Sequence, residues 1–292
     1  MDKPKIIQAG KIAKQVSDYA KSIIEENMPL LEIAEKIEDK IKELGGMPAF
    51  PVNLSINEIA AHYTPSHDDK TQAYGLLKVD IGVQIEGWIA DTAFSLNLDG
   101  TNENKKLIET AEEALASALK IIKTGISTDE IGKEIQRTAI SNHVNPIVNL
   151  SGHEIDRYDL HAGITIPNIN DKKNVTIKKG LYAIEPFMTS GNGRIHDGKP
   201  SGIYALVDNK NVRSPIAREV LTQIIDEYGD LPFCSRWLVK VFGTKALIGL
   251  NQLEQQGNLH QYAQLVEDSG RNVAQAEHTV LLEDNKVIVT TE

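Results

Sequence analysis

The sequence predicts an α+β fold in which a unit of two helices followed by a sheet occurs twice. Two pairs of amphipathic helical segments lie about a hundred residues apart, β-rich segments follow each pair, and short helices interrupt the second half. With 292 residues, 41% of them apolar and 25% charged, the chain resembles a globular protein in composition and can bury a large core. We therefore expect two sheets that face one another across a shared centre.

The first helix pair occupies the first part of the chain. Residues 4–27 carry apolar side chains at spacings of three and four, which is the period of a helix. After Pro29 a second stripe with the same spacing continues to Gly45 and Gly46, which end it. The apolar positions are Ile12, Val16, Tyr19 and Ile23 in the first helix and Ile33, Ile37, Ile41 and Leu44 in the second.

The second helix pair is predicted over residues 101–125 and 127–140. Ser127 and Glu130 have the spacing of a capping box at the start of its second helix. The segments LEIAEKI and DEIGKEI, one from each pair, are similar, which supports a duplicated architecture. The β-rich segments are 51–64, 72–98, 146–167, 175–188 and 273–291.

A helical insertion is predicted over residues 192–265, where three short amphipathic segments end at glycines. We expect it to form a small winged-helix-like subdomain, with residues 1–191 and 266–292 forming the main domain. Over residues 214–270 acidic side chains outnumber basic ones, and the whole chain has a net charge of −10. A DNA-binding surface needs a basic patch, so direct DNA binding is not expected.

Two aspartates lie inside a predicted β-hairpin at residues 79–94. If Glu86 and Gly87 form the turn, Asp80 and Asp91 share one face on a diagonal of about 7–8 Å, and Gly82 leaves open space between them. Two like charges on a half-buried face repel or raise a pKa, and a bound cation removes the conflict. The alternatives are a pair that faces water and a one-residue bulge that separates the two side chains.

Three further segments place polar side chains in apolar, strand-like settings. They contain His153 and His161 among glycines, Glu185 before a proline, and Glu277 ahead of an apolar run. Each of these side chains alone is explained by a structural role. Together with the aspartates they suit manganese, iron(II), cobalt or zinc, and two ions about 3.5–4 Å apart would balance four carboxylates. This combination predicts a dinuclear hydrolase.

These five positions, in this order, resemble the metal-ligand pattern of the methionine aminopeptidases, which have the pita-bread fold. The AHYTP segment around His62 and the inserted helices resemble the type II branch, and the short N-terminal segment resembles its archaeal members. The resemblance implies a metal-dependent aminopeptidase that removes the N-terminal methionine when the second residue is small. Family members do so by attack of a dimetal-bridging water on the peptide carbonyl.

The resemblance also implies a role for each ligand position. Asp80 would be a bidentate ligand of one metal, and His153 and Glu185 would bind the other. Asp91 and Glu277 would bridge the two ions, and Glu185 would also relay the proton of the attacking water.

Three further positions would contact the substrate. His161 would hydrogen-bond the scissile carbonyl, and His62 would contact the substrate backbone. Phe50 and Ile203 are candidate walls for the methionine side chain, although Phe50 also fits an ordinary core position.

The partners implied are the N-termini of nascent polypeptides, with contact to the ribosome, for a monomeric enzyme. A cytoplasmic location is expected, since no apolar run approaches the length of about 20 residues that a membrane span needs and the first residues lack a signal-peptide core. The single Cys234 fits a reducing compartment.

Two alternatives share this fold. An Xaa-Pro aminopeptidase or prolidase-type hydrolase has the same metal pattern, and a non-catalytic pita-bread protein binds partners after losing metal ligands. All five ligand positions are filled in this sequence, which favours the enzyme.

Overall fold

The structure is a computed structural model that describes residues 1–284 and 286–292. The helices are α1 (Lys3–Ile23), α2 (Leu30–Glu43), α3 (Asn102–Ile121), α4 (Thr128–Ser141), α5 (Pro215–Glu227), α6 (Ser235–Phe242) and α7 (Lys245–Gln255). The strands of the first half are β1 (Met47–Pro48), β2 (Asn53–Ile56), β3 (Ile59–Ala61), β4 (Leu76–Ile85) and β5 (Trp88–Asn97). Those that follow are β6 (Asn145–Pro146), β7 (Ser151–Ile155), β8 (Thr165–Pro167), β9 (Gly180–Ile184), β10 (Phe187–Thr189), β11 (Ile195–Leu206), β12 (Phe233–Cys234), β13 (Leu259–Glu267), β14 (Val273–Gln275), β15 (His278–Leu282) and β16 (Val287–Val289).

The first unit consists of α1 and α2 packed on one face of the sheet around β4. Its core contains the apolar stripes of both helices and the alternate residues Val79, Ile81 and Val83 of β4. Because side chains alternate along a strand, the other face of β4 presents Asp80 and Gly82 to the interior of the molecule. The helices thus cover one face and leave the polar face for the site.

The second unit repeats this arrangement with α3 and α4. Their apolar side chains pack with β9 and β15 in a second core that includes Tyr182 and Val280. The predicted capping box at the start of α4 is wrong: the Ser127 side chain does not cap the helix and instead hydrogen-bonds the Asp129 carboxylate. The Ser127 hydroxyl donates this charge-assisted bond, which holds its side chain at Asp129.

The two units meet where β5 lies against the segment from β14 to β15. The Asp91 amide donates to Thr279 Oγ1 at 2.7 Å, and that hydroxyl donates to the Asp91 carbonyl at 2.7 Å. The Thr92 hydroxyl donates to the Glu277 carbonyl at 2.9 Å. The prediction of a duplicated α+β fold with a shared centre is confirmed, and these bonds, which we call the central seam, join its halves.

The insertion contains the three predicted short helices, α5 to α7, around a separate apolar core. It also contains two long strands that the sequence analysis missed, β11 and β13, which pair with each other and, through β13, with β3 of the first unit. The segment IHDGKPSG in β11 lacks the alternation that marks a strand, and its pairing with β13 is interrupted by register shifts. The assignment of residues 192–265 to a subdomain of their own stays a prediction.

A buried ion pair joins the insertion to the first unit. Arg236 of α6 is 1% exposed and pairs with Glu38 of α2, which is 2% exposed and also accepts from Trp237 Nε1 at 2.8 Å. Arg236 Nη1 donates to the Pro65 carbonyl at 2.9 Å and to Thr64 Oγ1 at 3.3 Å. The insertion is therefore anchored beside the segment that carries His62. Among the described residues, no helix has the length and apolar character needed to cross a membrane.

The substitution Glu38→Ala should lower the free energy of unfolding by about 3–5 kcal/mol, because it leaves a buried guanidinium without its counter-charge. Glu35→Ala is a matched control, since Glu35 also joins α2 to α6 through Lys240 at 2.8 Å but that pair is exposed. The control should cost less than about 1 kcal/mol. Chemical denaturation measures both, and equal losses would contradict the assignment of Glu38 as the anchor.

Candidate functional site

Strands β4 and β5 form the predicted hairpin, with Gly82 paired to Asp91. The turn residues Glu86 and Gly87 have φ values of 48° and 87°, as a two-residue type I′ turn requires. No register shift interrupts the pairing, so Asp80 and Asp91 lie on the same face, as predicted.

The space above Gly82 is filled, which corrects the prediction that this glycine leaves it open. A Cβ atom at Gly82 would lie 2.3 Å from the Phe50 ring. The glycine therefore serves to seat the Phe50 ring on the sheet beside the two aspartates. The ring forms part of the wall of the site.

A cavity of about 280 Å³ opens in front of the central seam. Every residue that the sequence analysis selected lines it: Phe50, His62, Asp80, Asp91, His153, His161, Glu185, Ile203 and Glu277. They come from β4, β5, β7 and β11, from the segment between β1 and β2, from the loop after β7, and from the positions that follow β3, β9 and β14. The fold thus brings together side chains that are up to 227 positions apart in the chain.

Three of these side chains form a compact group of possible metal ligands. Asp91, His153 and Glu277 each offer one atom, and these atoms all lie within 4.8 Å of one another. His153 Nε2 is also 3.5 Å from Glu185 Oε1 and 3.7 Å from Asp91 Oδ2. Asp80 adjoins Asp91 closely enough for the Asp80 charge to raise the pKa of Asp91.

The carboxyl groups of this cluster have raised pKa values. Burial raises the pKa of Asp80 to about 7, against hydrogen bonds from Gln275 and Asp91 that lower it. Burial and the neighbouring carboxylates raise the pKa values of Asp91 and Glu277 well above their ordinary value. Burial and the charge of Asp80 do the same to the pKa of Glu185.

The oxygens of the cluster fit a metal centre. Asp80 Oδ1, Asp91 Oδ1 and Glu277 Oε1 are buried without a hydrogen-bond partner among the described residues. Buried polar atoms are normally hydrogen-bonded, and carboxylates placed side by side lower their mutual repulsion by sharing a cation. Oxygen atoms with one imidazole form a donor set for borderline divalent ions.

His153 and His161 differ in their burial and in their position relative to the cluster. Burial first, and His161 second, lower the pKa of His153 to about 3, so that its ring is neutral. His153 Nδ1 lies 3.3 Å from the Glu154 carbonyl, so Nδ1 can carry the proton while Nε2 faces the cluster as a ligand atom. His161 lies at the exposed rim, with its ring 4.4 Å from that of His153.

His62 lines the cavity in a strained backbone conformation. Its φ of 63° is in the left-handed region, which a residue other than glycine adopts only where its surroundings hold it. Its Nδ1 lies 3.2 Å from the Ala263 carbonyl, and its ring meets that of Tyr262 edge to face at 5.5 Å. Burial lowers the pKa of His62 to about 4, so its ring is neutral near pH 7.

Sequence reasoning missed several lining residues. Tyr262 and Leu265 belong to β13, which was not predicted, and Asn53 belongs to a predicted strand but carries no motif. Tyr262 and Leu265 are three positions apart, so strict alternation would put them on opposite faces of β13, and only strand pairing brings Asn53 beside Asp80.

The chain is similar to known proteins over its whole length. A family model described as metallopeptidase family M24 matches residues 4–284. A methionine aminopeptidase of Pyrococcus horikoshii is 46% identical over 297 aligned positions, which cover 100% of both chains.

Two solved structures have the same fold. A methionine aminopeptidase from Thermotoga maritima has a TM-score of 0.71 at 22% identity and covers 99% of this chain and 96% of its own. A thermophilic Arx1 has a TM-score of 0.82 at 15% identity, with 98% and 90% covered. At these identities the likeness shows the fold alone.

The substitution His62→Gln should make the metal-free protein less sensitive to acid. The unfolded chain protonates His62 near pH 6.5 and the folded one only near pH 4, so His62 costs stability as the pH falls between these values. Chemical denaturation at pH 7 and pH 4.5 measures the difference. An unchanged pH dependence for His62→Gln would contradict the prediction.

Proposed function

The chain belongs to metallopeptidase family M24, and we propose that it removes the N-terminal methionine of proteins whose second residue is small. The full-length identity of 46% to a methionine aminopeptidase is the observation that carries this proposal. The relatives at 40–47% identity bear the same name, which favours this function over an Xaa-Pro peptidase. All five metal-ligand positions carry residues that can bind a metal, which favours an enzyme over a binding protein.

Five side chains would hold the metal: Asp80, Asp91, His153, Glu185 and Glu277. The proposal includes two divalent ions, of cobalt, manganese, iron(II) or zinc, because four carboxylates and one imidazole overcharge a single ion. Asp91 and Glu277 face each other across the central seam, which suits the bridging role. When bound, such ions lower the pKa of water and polarise a peptide carbonyl.

The remaining groups act on the proton and the substrate. Glu185 borders the cluster at 3.5 Å from His153 and would accept a proton from the attacking water at its carboxylate. His161, at the rim, would donate to the carbonyl oxygen as negative charge develops. His62, fixed by the Ala263 carbonyl, would contact the substrate backbone.

The substrate pocket would lie between the two walls of the cavity. Phe50, seated on Gly82, and Ile203 of β11 are the apolar surfaces for the methionine side chain. A cavity of about 280 Å³ accommodates the end of a chain and not a folded segment, which suits an exopeptidase. The proposed substrates are nascent polypeptides. The enzyme would act on them as a monomer, in the cytoplasm and at the ribosome.

Chelation should abolish hydrolysis of a Met-Gly-type peptide, and addition of a divalent ion should restore it. The expected loss is nearly complete, since bound ions would lower the pKa of the attacking water and polarise the peptide carbonyl. Release of methionine is the measurement, with a Leu-Gly peptide as the specificity control. Hydrolysis that persists in excess chelator would argue against the function.

The substitution Asp91→Asn should reduce the bound metal and lower kcat/KM by at least about a hundredfold, because it removes one negative charge from the residues that would hold the metal. Asp18→Asn, which removes one exposed charge on α1, is the control. Metal content by elemental analysis and steady-state kinetics are the readouts. Full metal content and full rate in the Asp91 variant would refute the site.

A further inference from the structure

Asn53 is a cavity residue that no part of the mechanism yet uses. It lies on β2, directly opposite Asp80 of β4. Directly opposed residues of an antiparallel pair point to the same face, so the Asn53 side chain shares the polar face with Asp80. It lines the cavity and is 5% exposed.

The Asn53 amide has one satisfied end and one free end. Its Nδ2 donates to the Pro51 carbonyl at 2.7 Å, which fixes the amide, because a flipped amide would bring two oxygens together. Its Oδ1 is buried and has no donor among the described residues. An unsatisfied buried acceptor is destabilising, so its retention at a cavity wall points to a ligand that supplies the donor.

The cavity wall beside Asn53 offers no such donor. Its neighbours on this face are the Asp80 carboxylate and the Phe50 ring over Gly82, and neither donates a strong hydrogen bond when Asp80 is ionised. The unsatisfied Asn53 oxygen therefore has to find its donor on a ligand in the cavity.

An N-terminal methionine residue offers one donor group that fits. Its thioether side chain has no N–H or O–H, whereas its α-amino group carries N–H donors. The wall formed by Phe50 is apolar and suits the thioether. The position next to it, which Asn53 occupies, suits the amino group.

We propose that Asn53 is a substrate-binding residue whose Oδ1 accepts a hydrogen bond from the α-amino group of the N-terminal residue. This inference rests on the proposed aminopeptidase function. It makes Asn53 a determinant of selectivity for a free N-terminus, because a ligand without an amine leaves the buried oxygen unsatisfied.

The test uses two small ligands that differ only in the amine: L-methionine and 4-(methylthio)butanoate. Their affinities for the metal-loaded full chain are measured by calorimetry or by competition with a peptide substrate. The variant Asn53→Leu removes the acceptor at similar size. Metal content and melting temperature are measured for the wild type and the variant.

Asn168→Leu is the matched control. Asn168 is also a buried asparagine whose Nδ2 donates to a backbone carbonyl and whose Oδ1 has no partner among the described residues, but it does not line the cavity. Its substitution reports what the loss of such a side chain does to folding alone.

Asn53→Leu should weaken methionine binding by about 10- to 100-fold, the range for a hydrogen bond to a charged group, and leave 4-(methylthio)butanoate unchanged. Equal loss of both ligands, loss of metal in Asn53→Leu, or the same effect in Asn168→Leu would overturn the inference. A wild-type protein that binds metal but not methionine would instead overturn the proposed function, on which the inference rests.

Discussion

The crowding of four carboxyl groups at the junction of two sheets is the constraint on which the rest of the structure depends. Asp91 and Glu277 are buried, Asp80 and Glu185 are half-buried, and the nearest base, His153, is neutral. Such groups repel one another and lose hydration, as their raised pKa values reflect. A fold left to relax would separate them, so the surrounding structure must hold them together until cations bind.

The hydrogen bonds of the central seam hold these carboxyl groups together. Beyond the bonds of Thr92 and Thr279, the Ser95 hydroxyl donates to the Gln275 carbonyl at 2.7 Å and accepts from the Gln275 amide at 2.9 Å. These side chains replace a continuous strand ladder between the two units. Because they bind backbone groups of Asp91 and Glu277 and of their near neighbours, they fix the position of both carboxylates while leaving their oxygens free.

The insertion adds apolar and aromatic residues to a cavity whose carboxyl groups come from the duplicated units. The duplicated units supply the clustered carboxyl groups and His153, whereas β11 and β13 supply Ile203 and Tyr262 to the cavity wall. The buried pair of Glu38 and Arg236 holds this wall, and Arg236 also binds the segment that follows His62. The duplicated fold thus provides the ligand cluster, and the insertion adds the surface that limits what can enter.

The sequence by itself determined the helix pairs, the hairpin register and the identity of the ligand cluster. Periodicity fixes the buried face of a helix, and the Glu86–Gly87 turn fixes the pairing of β4 with β5, so these features are encoded within short segments. Asp80 and Asp91 could be placed on one face for this reason. His153, Glu185 and Glu277 could be added through their residue types and a family resemblance.

Tertiary structure alone decided the features that depend on packing between distant segments. The Phe50 ring fills the space above Gly82, the irregular β11 becomes a strand only through its pairing with β13, and Asn53 reaches the cavity only because β2 pairs with β4. The raised pKa values of the clustered carboxyl groups could not be predicted from the sequence either. They arise from burial and charge proximity, which are properties of three-dimensional neighbours and not of neighbours along the chain.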